Sequence, residues 1–205
     1  MNDRDRILEA LRAAPRDELP LPDVDFALWR AGDPAAAFVD ELASVGGTAV
    51  RVHSVAEAQA HLEGLPSYRS AARVCSTVSG LGRSDVDLAR VEGPHELSSV
   101  DVAIVKADLA VAENGAVWLR GDAVRHRVLY FLVPHLVVVV EESQLVQNMH
   151  EAYERIAARG FGVFVSGPSK TADIEQALVL GAHGPMSMTV YLVSGSSHAD
   201  DVESR

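Results

Sequence analysis

The apolar run at residues 136–141 places the strongest constraint on the fold, because Leu136 is followed by four consecutive valines. β-Branched residues at successive positions, without the polar–apolar alternation of a half-exposed strand, indicate a strand that is buried on both faces. Other short apolar runs are found at residues 48–52, 73–77, 100–105, 161–165 and 188–193. Because these runs alternate with helical patterns, the sequence predicts an α/β fold with a mainly parallel sheet and helices on both faces.

The helical patterns have recognisable ends. Helices are predicted at residues 3–14, 34–45, 55–62, 143–159 and 171–180. Ser54, with Glu57 three residues later, predicts a capping box for the third of these helices. Gly160 ends the fourth. Two further strands, at residues 108–112 and 116–119, flank a Glu-Asn-Gly turn.

The chain divides into three parts. We assign an N-terminal helix and proline-rich arm to residues 1–34, an α/β domain to residues 35–193 and a flexible tail to residues 194–205. Prolines favour an extended arm, and we expect Phe26, Leu28 and Trp29 to attach it to the domain. The tail is polar, as is common at frayed termini.

Charge and hydropathy restrict the class of partner. The formal net charge of −11 argues against nucleic acid and against anionic membrane surfaces, since both require clustered Lys and Arg. The charged N-terminus predicts no signal peptide. The longest apolar stretch, residues 128–140, is broken by Pro134 and His135 and is too short to span a bilayer. We therefore expect a cytoplasmic protein.

The chain contains a single cysteine, Cys75, in a short apolar run. One cysteine cannot form an internal disulfide, and alone it cannot hold an iron–sulfur cluster or a structural zinc ion. We interpret Cys75 as a buried, inert thiol rather than a nucleophile, and the sequence predicts no cofactor.

A loop at residues 166–171 (SGPSKT) follows one predicted strand and precedes a predicted helix. Gly167 permits close approach, Ser169 and Thr171 supply hydroxyl groups, and Lys170 supplies a positive charge. Together with the free amides of a helix N-terminus, these groups predict a site for a phosphate or a carboxylate. The alternative is a well-capped helix start, because Asp173 and the nearby Glu175 would repel an anion.

The turn of Glu113, Asn114 and Gly115 is a second candidate, and we expect it to face the 166–171 loop across one cleft, outside the carboxyl ends of the parallel strands where such sheets bind ligands. Asn-Gly is a strong signal for a two-residue β-hairpin, and the glutamate is then incidental. However, both flanking segments are apolar, and a glutamate between them is partly desolvated. A carboxylate in such a place acts as a base or nucleophile, with Lys106 and Lys170 as candidate partners.

Two histidines stand out. His183 lies between glycines in the segment GAHGP, and we expect it to contact a ligand or form a hydrogen bond. His135 precedes the valine run and is predicted to face the same cleft. A metal site of His183 with Asp173 and Glu175 matches no known ligand spacing, so no metal is predicted. The basic segment 125–127 receives a substrate carboxylate or is a solvated loop, and we favour the loop.

Four segments together resemble a known family. They are residues 108–117 (DLAVAENGAV), 127–139 (RVLYFLVPHLVVV), 166–175 (SGPSKTADIE) and 181–185 (GAHGP). They are similar to motifs of the LUD-domain family, and within it to the lactate-utilization protein C group. The resemblance extends over nearly the whole chain.

The resemblance implies a fold like that of the group formed by ribose-5-phosphate isomerase, glucosamine-phosphate deaminase and CoA-transferases (NagB/RpiA/CoA-transferase-like). It also implies a place in a three-protein system that oxidises L-lactate to pyruvate, in which the other two subunits carry iron–sulfur clusters. The chain departs from the family at Asn114, where Thr or Ser is usual, and at Lys170, where Arg is usual. The change at Asn114 gives the turn the Glu-Asn-Gly sequence of CoA-transferases, and Lys lacks the bidentate carboxylate recognition of Arg.

Three hypotheses follow. The first is an accessory or ligand-binding subunit that binds a small carboxylate or phosphorylated metabolite with Asn114, Gly115, His135, Gly167, Ser169, Lys170, Thr171, Asp173 and His183. The second is a small CoA-transferase-like or isomerase-like enzyme with Glu113 as its catalytic residue. The third is a non-catalytic scaffold for iron–sulfur subunits. Whether the chain is an enzyme and whether it forms a homo-oligomer stay open at this point.

Overall fold

The computed structural model describes residues 2–14, 30–156, 160–174 and 177–195. The helices are α1 (Asp3–Ala13), α2 (Pro34–Ser44), α3 (Val55–Gly64), α4 (Pro66–Arg69), α5 (Leu129–Leu132) and α6 (Met149–Arg155). The strands are β1 (Thr48–Val52), β2 (Val74–Ser76), β3 (Val102–Lys106), β4 (Leu109–Val111), β5 (Ala116–Arg120), β6 (His135–Glu141), β7 (Leu145–Val146), β8 (Gly162–Val165), β9 (Lys170–Ile174), β10 (Ala177–Leu180) and β11 (Ser187–Val193). Two 3₁₀ turns cover Pro94–Ser99 and Glu142–Gln144.

A five-stranded sheet forms the centre of the domain, in the order β1-β11-β6-β3-β2. Every neighbouring pair in it is parallel. The valine run forms β6 in the middle of this sheet, with β11 on one side and β3 on the other. The prediction of a mainly parallel sheet is therefore confirmed.

The two faces of β6 belong to two different cores. Val137 and Val139 pack in one cluster with Leu62 of α3 and Tyr68 of α4. Leu136, Val138 and Val140 pack on the opposite face, against α2 and a second sheet. Because both faces of β6 are covered, apolar residues are favoured at every position of this strand, which explains the absence of polar alternation. Helices flank the sheet as predicted, and on the α2 face the second sheet shares this role.

The second sheet has four strands in the order β7-β4-β5-β8. β4 and β5 form an antiparallel hairpin, as predicted, and β8 continues the sheet antiparallel to β5. Helix α6 packs on the outer side of this sheet through Ala152, against Leu109 and Val146. Successive layers therefore consist of α3 and α4, the parallel sheet, α2 with the second sheet, and α6.

Side-chain caps explain where two helices begin. Asp33 accepts hydrogen bonds from the amides of Ala35 and Ala36 at the start of α2. Ser54 accepts one from the Glu57 amide at the start of α3, 3.2 Å away. The Glu57 carboxylate returns to the amide of His53, one residue before the cap, at 2.7 Å. The predicted Ser54 cap is thus confirmed, with the return bond from Glu57 shifted by one residue to His53.

The predicted helix at residues 171–180 is wrong. Residues 170–174 and 177–180 form the antiparallel hairpin β9–β10, in which Lys170 is opposite Leu180 and Thr171 is opposite Val179. Asp173 therefore lies in a strand, and a strand replaces the helix N-terminus that was expected to supply amides to an anion. The β-branched residues Thr171, Ile174 and Val179 fit a strand, and the pairing of β9 with β10 overrides the helix propensity of the remaining residues.

The predicted helix at residues 143–159 is too long. Leu145 and Val146 form β7, which pairs in parallel with Ala110 and Val111. Helix α6 begins only at Met149, after the capping residue Asn148. Pairing with β4 therefore takes Leu145 and Val146 into the sheet.

Several further sequence predictions concern the chain ends and Cys75. The predicted N-terminal helix is present as α1, while Phe26, Leu28 and Trp29 lie outside the described residues. Cys75 is fully buried, and burial raises the pKa of its thiol, as expected for an inert cysteine. Within the described ranges no helix combines the length and the apolar character that crossing a membrane requires.

Candidate active site

The Glu113 turn is the hairpin connection between β4 and β5, and it packs on α2. Because Val111 pairs with Ala116, the loop comprises residues 112–115 and not the two residues that the sequence predicts. The side-chain oxygen of Asn114 accepts a hydrogen bond from the Ala116 amide at 3.1 Å. Gly115 has a φ of +64°, and a Cβ atom there would lie 2.6 Å from the amide nitrogen of Leu42. Only glycine combines this backbone conformation with such a close approach. The close contact between Gly115 and Leu42 therefore fixes the position of the turn relative to α2.

Glu113 itself is half-buried and is directed towards the start of α6. Its Oε2 accepts a hydrogen bond from the Met149 amide at 2.9 Å, and its own amide donates to the Gln147 carbonyl at 3.0 Å. Lys106 instead pairs with Glu141 at 2.9 Å. Among the described residues, neither Lys106 nor Lys170 forms an ion pair with Glu113. The predicted partners are thus replaced by a backbone amide.

The loop before β9 is joined to the Glu113 turn. The Ser166 hydroxyl donates to the carbonyl oxygen of Asn114 at 2.7 Å. Gly167 has a φ of +70°, and a Cβ atom there would lie 2.7 Å from the Val45 carbonyl oxygen. Both loops therefore rest on the C-terminal end of α2, and the sequence prediction that the two lie close together is confirmed.

The same loop also contacts the segment 181–185. The Ser169 amide donates to the Pro185 carbonyl at 2.8 Å, and the Gly181 amide donates to the Ser169 carbonyl at 2.8 Å. A Cβ atom on Gly184 would lie 2.9 Å from that of Ser169, so glycine is needed for this contact. Two backbone hydrogen bonds and one close glycine contact thus hold the 166–169 loop against the 181–185 segment.

A cleft of ≈ 250 Å³ opens between these loops. Its lining residues are Tyr130, Phe131, Val163, Phe164, Val165, Ser166, Gly167, Pro168, Ser169, His183, Gly184 and Pro185. Of the residues predicted from the sequence, Gly167, Ser169 and His183 line it. Asn114 is connected to it through Ser166, whereas Glu113, His135, Lys170 and Thr171 are not among its lining residues.

The cleft lies at the amino ends of the parallel strands. Pro134, immediately before β6, accepts hydrogen bonds from the amides of Met186 and Ser187 at the start of β11. The segment 181–185 that precedes Met186 is therefore at the same edge. The expectation that these loops follow the rule of ligand binding at the carboxyl ends of parallel strands is wrong, because the loop after β8 belongs to the second sheet.

The remaining predicted residues have other surroundings. Lys170 is exposed beside Gly46, on which a Cβ atom would lie 3.9 Å from the Lys170 Nζ. Thr171 is half-buried in β9, and the side chain of Asp173 and the whole of Glu175 are outside the described part of the chain. Across that described part, no three His, Cys, Asp or Glu side chains are grouped so that they could hold a metal ion.

His135 contacts Ser187 instead of the cleft. Its Nδ1 is 2.8 Å from the Ser187 hydroxyl, at the first rung between β6 and β11. Burial lowers the pKa of His135, and the nearby Asp101 opposes this effect. The imidazole is therefore held neutral as part of the sheet edge.

This lowered pKa predicts a specific loss of stability in acid. The unfolded chain binds the proton more readily, so the contribution of neutral His135 is complete above its ordinary pKa of 6.5 and is lost as the pH falls through its native value. We expect the melting temperature of the wild type to fall more than that of His135→Gln between about pH 7.5 and about pH 5. The exposed His95→Gln is the control, and an equal acid loss in all three proteins contradicts the prediction.

Tyr130 and Phe131 line the cleft but are not predicted by the sequence pattern. They belong to the four-residue helix α5, which is too short to produce a periodic pattern. The Tyr130 hydroxyl donates to the Arg120 carbonyl at 2.7 Å, and burial together with Asp108 raises its pKa to about 12. Phe131 keeps 37% of its surface exposed, and the adjacent aromatic pair was the available signal.

The basic segment 125–127 is attached to neighbouring groups. Arg125 donates to the Ala89 carbonyl, and His126 Nε2 is 3.1 Å from the Val91 carbonyl. The Arg127 guanidinium lies 4.5 Å from the centre of the Phe161 ring. These contacts agree with the loop interpretation rather than with a substrate-carboxylate site.

Comparison with known proteins adds a family. The model of the LUD domain matches residues 68–193, which is more than half of the chain. Lactate utilization protein C of Geobacillus thermodenitrificans is 29% identical over 93% of this chain and 80% of the relative. The protein of that name from Bacillus pumilus is 32% identical over 53% of this chain, and there the match spans 48% of the relative.

A solved structure has the same fold. The crystal structure of a DUF162 family protein from Deinococcus radiodurans aligns with a TM-score of 0.60 and 20% identity. The alignment covers 78% of this chain and 96% of that protein. At this identity the likeness concerns the fold alone.

Proposed function

The chain belongs to the LUD-domain family, and from this premise we propose that it serves lactate utilisation as a subunit that binds a small carboxylate or phosphorylated metabolite. The proposal takes the process from the names of its relatives. One observation carries the binding site, namely the cleft between the 166–169 loop and the 181–185 segment. Both segments also contain residues that the sequence predicts to bind a ligand, namely Gly167, Ser169 and His183.

The chemistry of the cleft suits a small anion. The Ser169 hydroxyl donates or accepts a hydrogen bond, and the exposed His183 imidazole donates one from a neutral or a charged ring. Tyr130 and Phe131 supply an apolar wall that lowers the local dielectric. A volume of ≈ 250 Å³ limits the ligand to a few carbon atoms with its oxygens.

Isothermal titration with L-lactate, pyruvate and ribose 5-phosphate tests this proposal. We expect one of them to bind, and Ser169→Ala and His183→Ala each to weaken that binding about tenfold, because each removes a hydrogen bond to a charged group. His95→Ala, at an exposed histidine outside the cleft, is the control. Absence of heat with all three ligands, or equal affinity in the variants and the control, contradicts the proposal.

Partners are part of the proposal. The family resemblance implies subunits that carry iron–sulfur clusters, and a non-catalytic scaffold is the limiting form of this role. If the iron–sulfur subunits co-purify with this chain equally well when Ser169 is replaced by Ala, the scaffold is favoured. If the amount that co-purifies changes when L-lactate, pyruvate or ribose 5-phosphate is added, the binding subunit is favoured.

The Glu113 carboxylate is the alternative centre of reaction. Its Oε2 accepts the Met149 amide, which favours a positioning role for this side chain because the bond lowers the nucleophilicity of that oxygen. Incubation with acetyl-CoA followed by intact-mass measurement separates the two roles. An acetyl adduct that disappears in Glu113→Gln would favour the enzyme.

A further inference from the structure

A second pocket, separate from the cleft, opens on the outer side of the second sheet. It encloses ≈ 390 Å³, which lies in the range of small-molecule sites. Its lining residues are Asp108, Leu109, Trp118, Arg120, Asp122, Gln144, Arg155, Ile156, Gly160 and Phe161. None of these residues lines the 166–169 cleft, so the two sites are distinct.

Two aromatic rings make up much of the pocket wall. Trp118 packs against Phe164, with ring centroids 4.6 Å apart, and also lines the pocket. Phe161 leaves 49% of its surface exposed, and the Arg127 guanidinium lies over one face of its ring, so the other face is the one open to a ligand. Half-exposed aromatic rings in a concave site provide stacking surface for a flat ligand.

Two glycines make room for these rings. A Cβ atom on Gly162 would lie 2.0 Å from Cζ2 of Trp118, and one on Gly121 would lie 2.7 Å from Cδ1 of Phe161. Any other residue at either position would displace the ring beside it. Both rings can therefore occupy their positions only because residues 121 and 162 are glycines.

The two arginines of the polar rim differ in their surroundings. Arg120 Nε is 2.8 Å from Asp108 and 3.4 Å from Asp122, so its charge is matched by two carboxylates. Arg155, on the last turn of α6, forms no ion pair with any residue in the described ranges. Gln144 adds an amide that donates and accepts hydrogen bonds. Among the lining residues that the structure describes, Arg155 is therefore the cation available to a ligand.

We propose that this pocket binds a flat aromatic ring that carries an anionic group, with the ring on Trp118 and Phe161 and the anion at Arg155. The planar guanidinium suits a carboxylate or a phosphate, because it donates two parallel hydrogen bonds. Aromatic carboxylates and nucleoside monophosphates share this chemistry. The proposal is independent of the role of the cleft.

Fluorescence of Trp118 reports binding directly. The chain has two tryptophans, Trp29 and Trp118, so the titration uses Trp29→Phe as the parent protein. We expect saturable quenching by nicotinate or by AMP, and none by ribose 5-phosphate, which lacks the ring. Arg155→Ala should weaken the binding by about tenfold, the factor for loss of one charge-assisted contact.

Two matched variants make the result specific. Arg69→Ala removes an exposed arginine of α4 outside the pocket, and Ser169→Ala alters only the cleft. Both should leave the quenching curve unchanged. No saturable quenching by either ring compound overturns the proposal, as does an Arg155→Ala curve equal to that of Arg69→Ala. If Ser169→Ala alone abolishes quenching, the ligand is in the cleft and this pocket is not its site.

Discussion

Gly115→Ala is expected to lower the free energy of unfolding by about 3 kcal/mol or more. Alanine is strained at a φ of +64°, and its Cβ would lie 2.6 Å from the amide nitrogen and 2.7 Å from the Cα of Leu42. Backbone atoms of a helix cannot rotate aside as a side chain can. The hairpin must therefore move away from α2, and urea denaturation measures the loss.

Two further variants separate backbone strain from the clash. Gly64→Ala, at the end of α3, adds a Cβ that meets nothing within 4 Å, so we expect a change within about 1 kcal/mol, in the stabilising direction. Gly115→Asn tolerates a positive φ but still adds a Cβ, so it should lose nearly as much as Gly115→Ala. A Gly115→Asn protein as stable as the wild type would show that the turn is not pressed against α2.

The features that the sequence predicted correctly are those with a local signal. The valine run of β6 marks a doubly covered strand whatever its neighbours are. The Asn114-Gly115 pair marks the hairpin because both residue types tolerate positive φ, although the loop it belongs to spans residues 112–115 and not two residues. Such signals depend on a few consecutive residues, and the fold preserves them.

The wrong helix at residues 171–180 and the overlong helix at residues 143–159 show where local signals compete. Residues 170–180 have acidic residues where a helix would begin, but also β-branched residues that favour strands, and β9 pairs with β10. At residues 145–146, pairing with β4 decides the outcome. Because β4 and β7 are more than 30 residues apart in the sequence, their pairing leaves no trace in the local periodicity of either strand.

Of the residues predicted for the site, Gly167, Ser169 and His183 line the cleft, and the edge of the sheet on which the cleft lies was predicted wrongly. Ser166 and Asn114 meet because β8 pairs with β5, which brings the end of one strand beside the start of the other. That register belongs to the second sheet, whereas the carboxyl-end rule concerns the parallel one. Glycine and hydroxyl content identified the loops, but only the sheet order determines the edge on which they lie.

Phe38→Ala is expected to have the other large effect, a loss of about 3–5 kcal/mol in the free energy of unfolding. Phe38 is fully buried on α2 within the larger core cluster. The C-terminal part of the same helix supports Gly115 through Leu42 and Gly167 through Val45. A cavity under α2 therefore loosens both loops at once, in addition to the loss of apolar burial.

The position of α2 makes this a test of the site as well as of the core. Titration of the folded fraction of Phe38→Ala should show weaker binding in the 166–169 cleft, whereas quenching of Trp118 in the separate pocket should persist, because α6 and not α2 covers that side of the second sheet. Asp40→Ala, on the exposed face of α2, should change the free energy of unfolding by less than about 0.5 kcal/mol and leave both ligands bound. Equal weakening at both sites in Phe38→Ala would mean that the domain loosens as a whole, and that α2 has no particular part in holding the cleft.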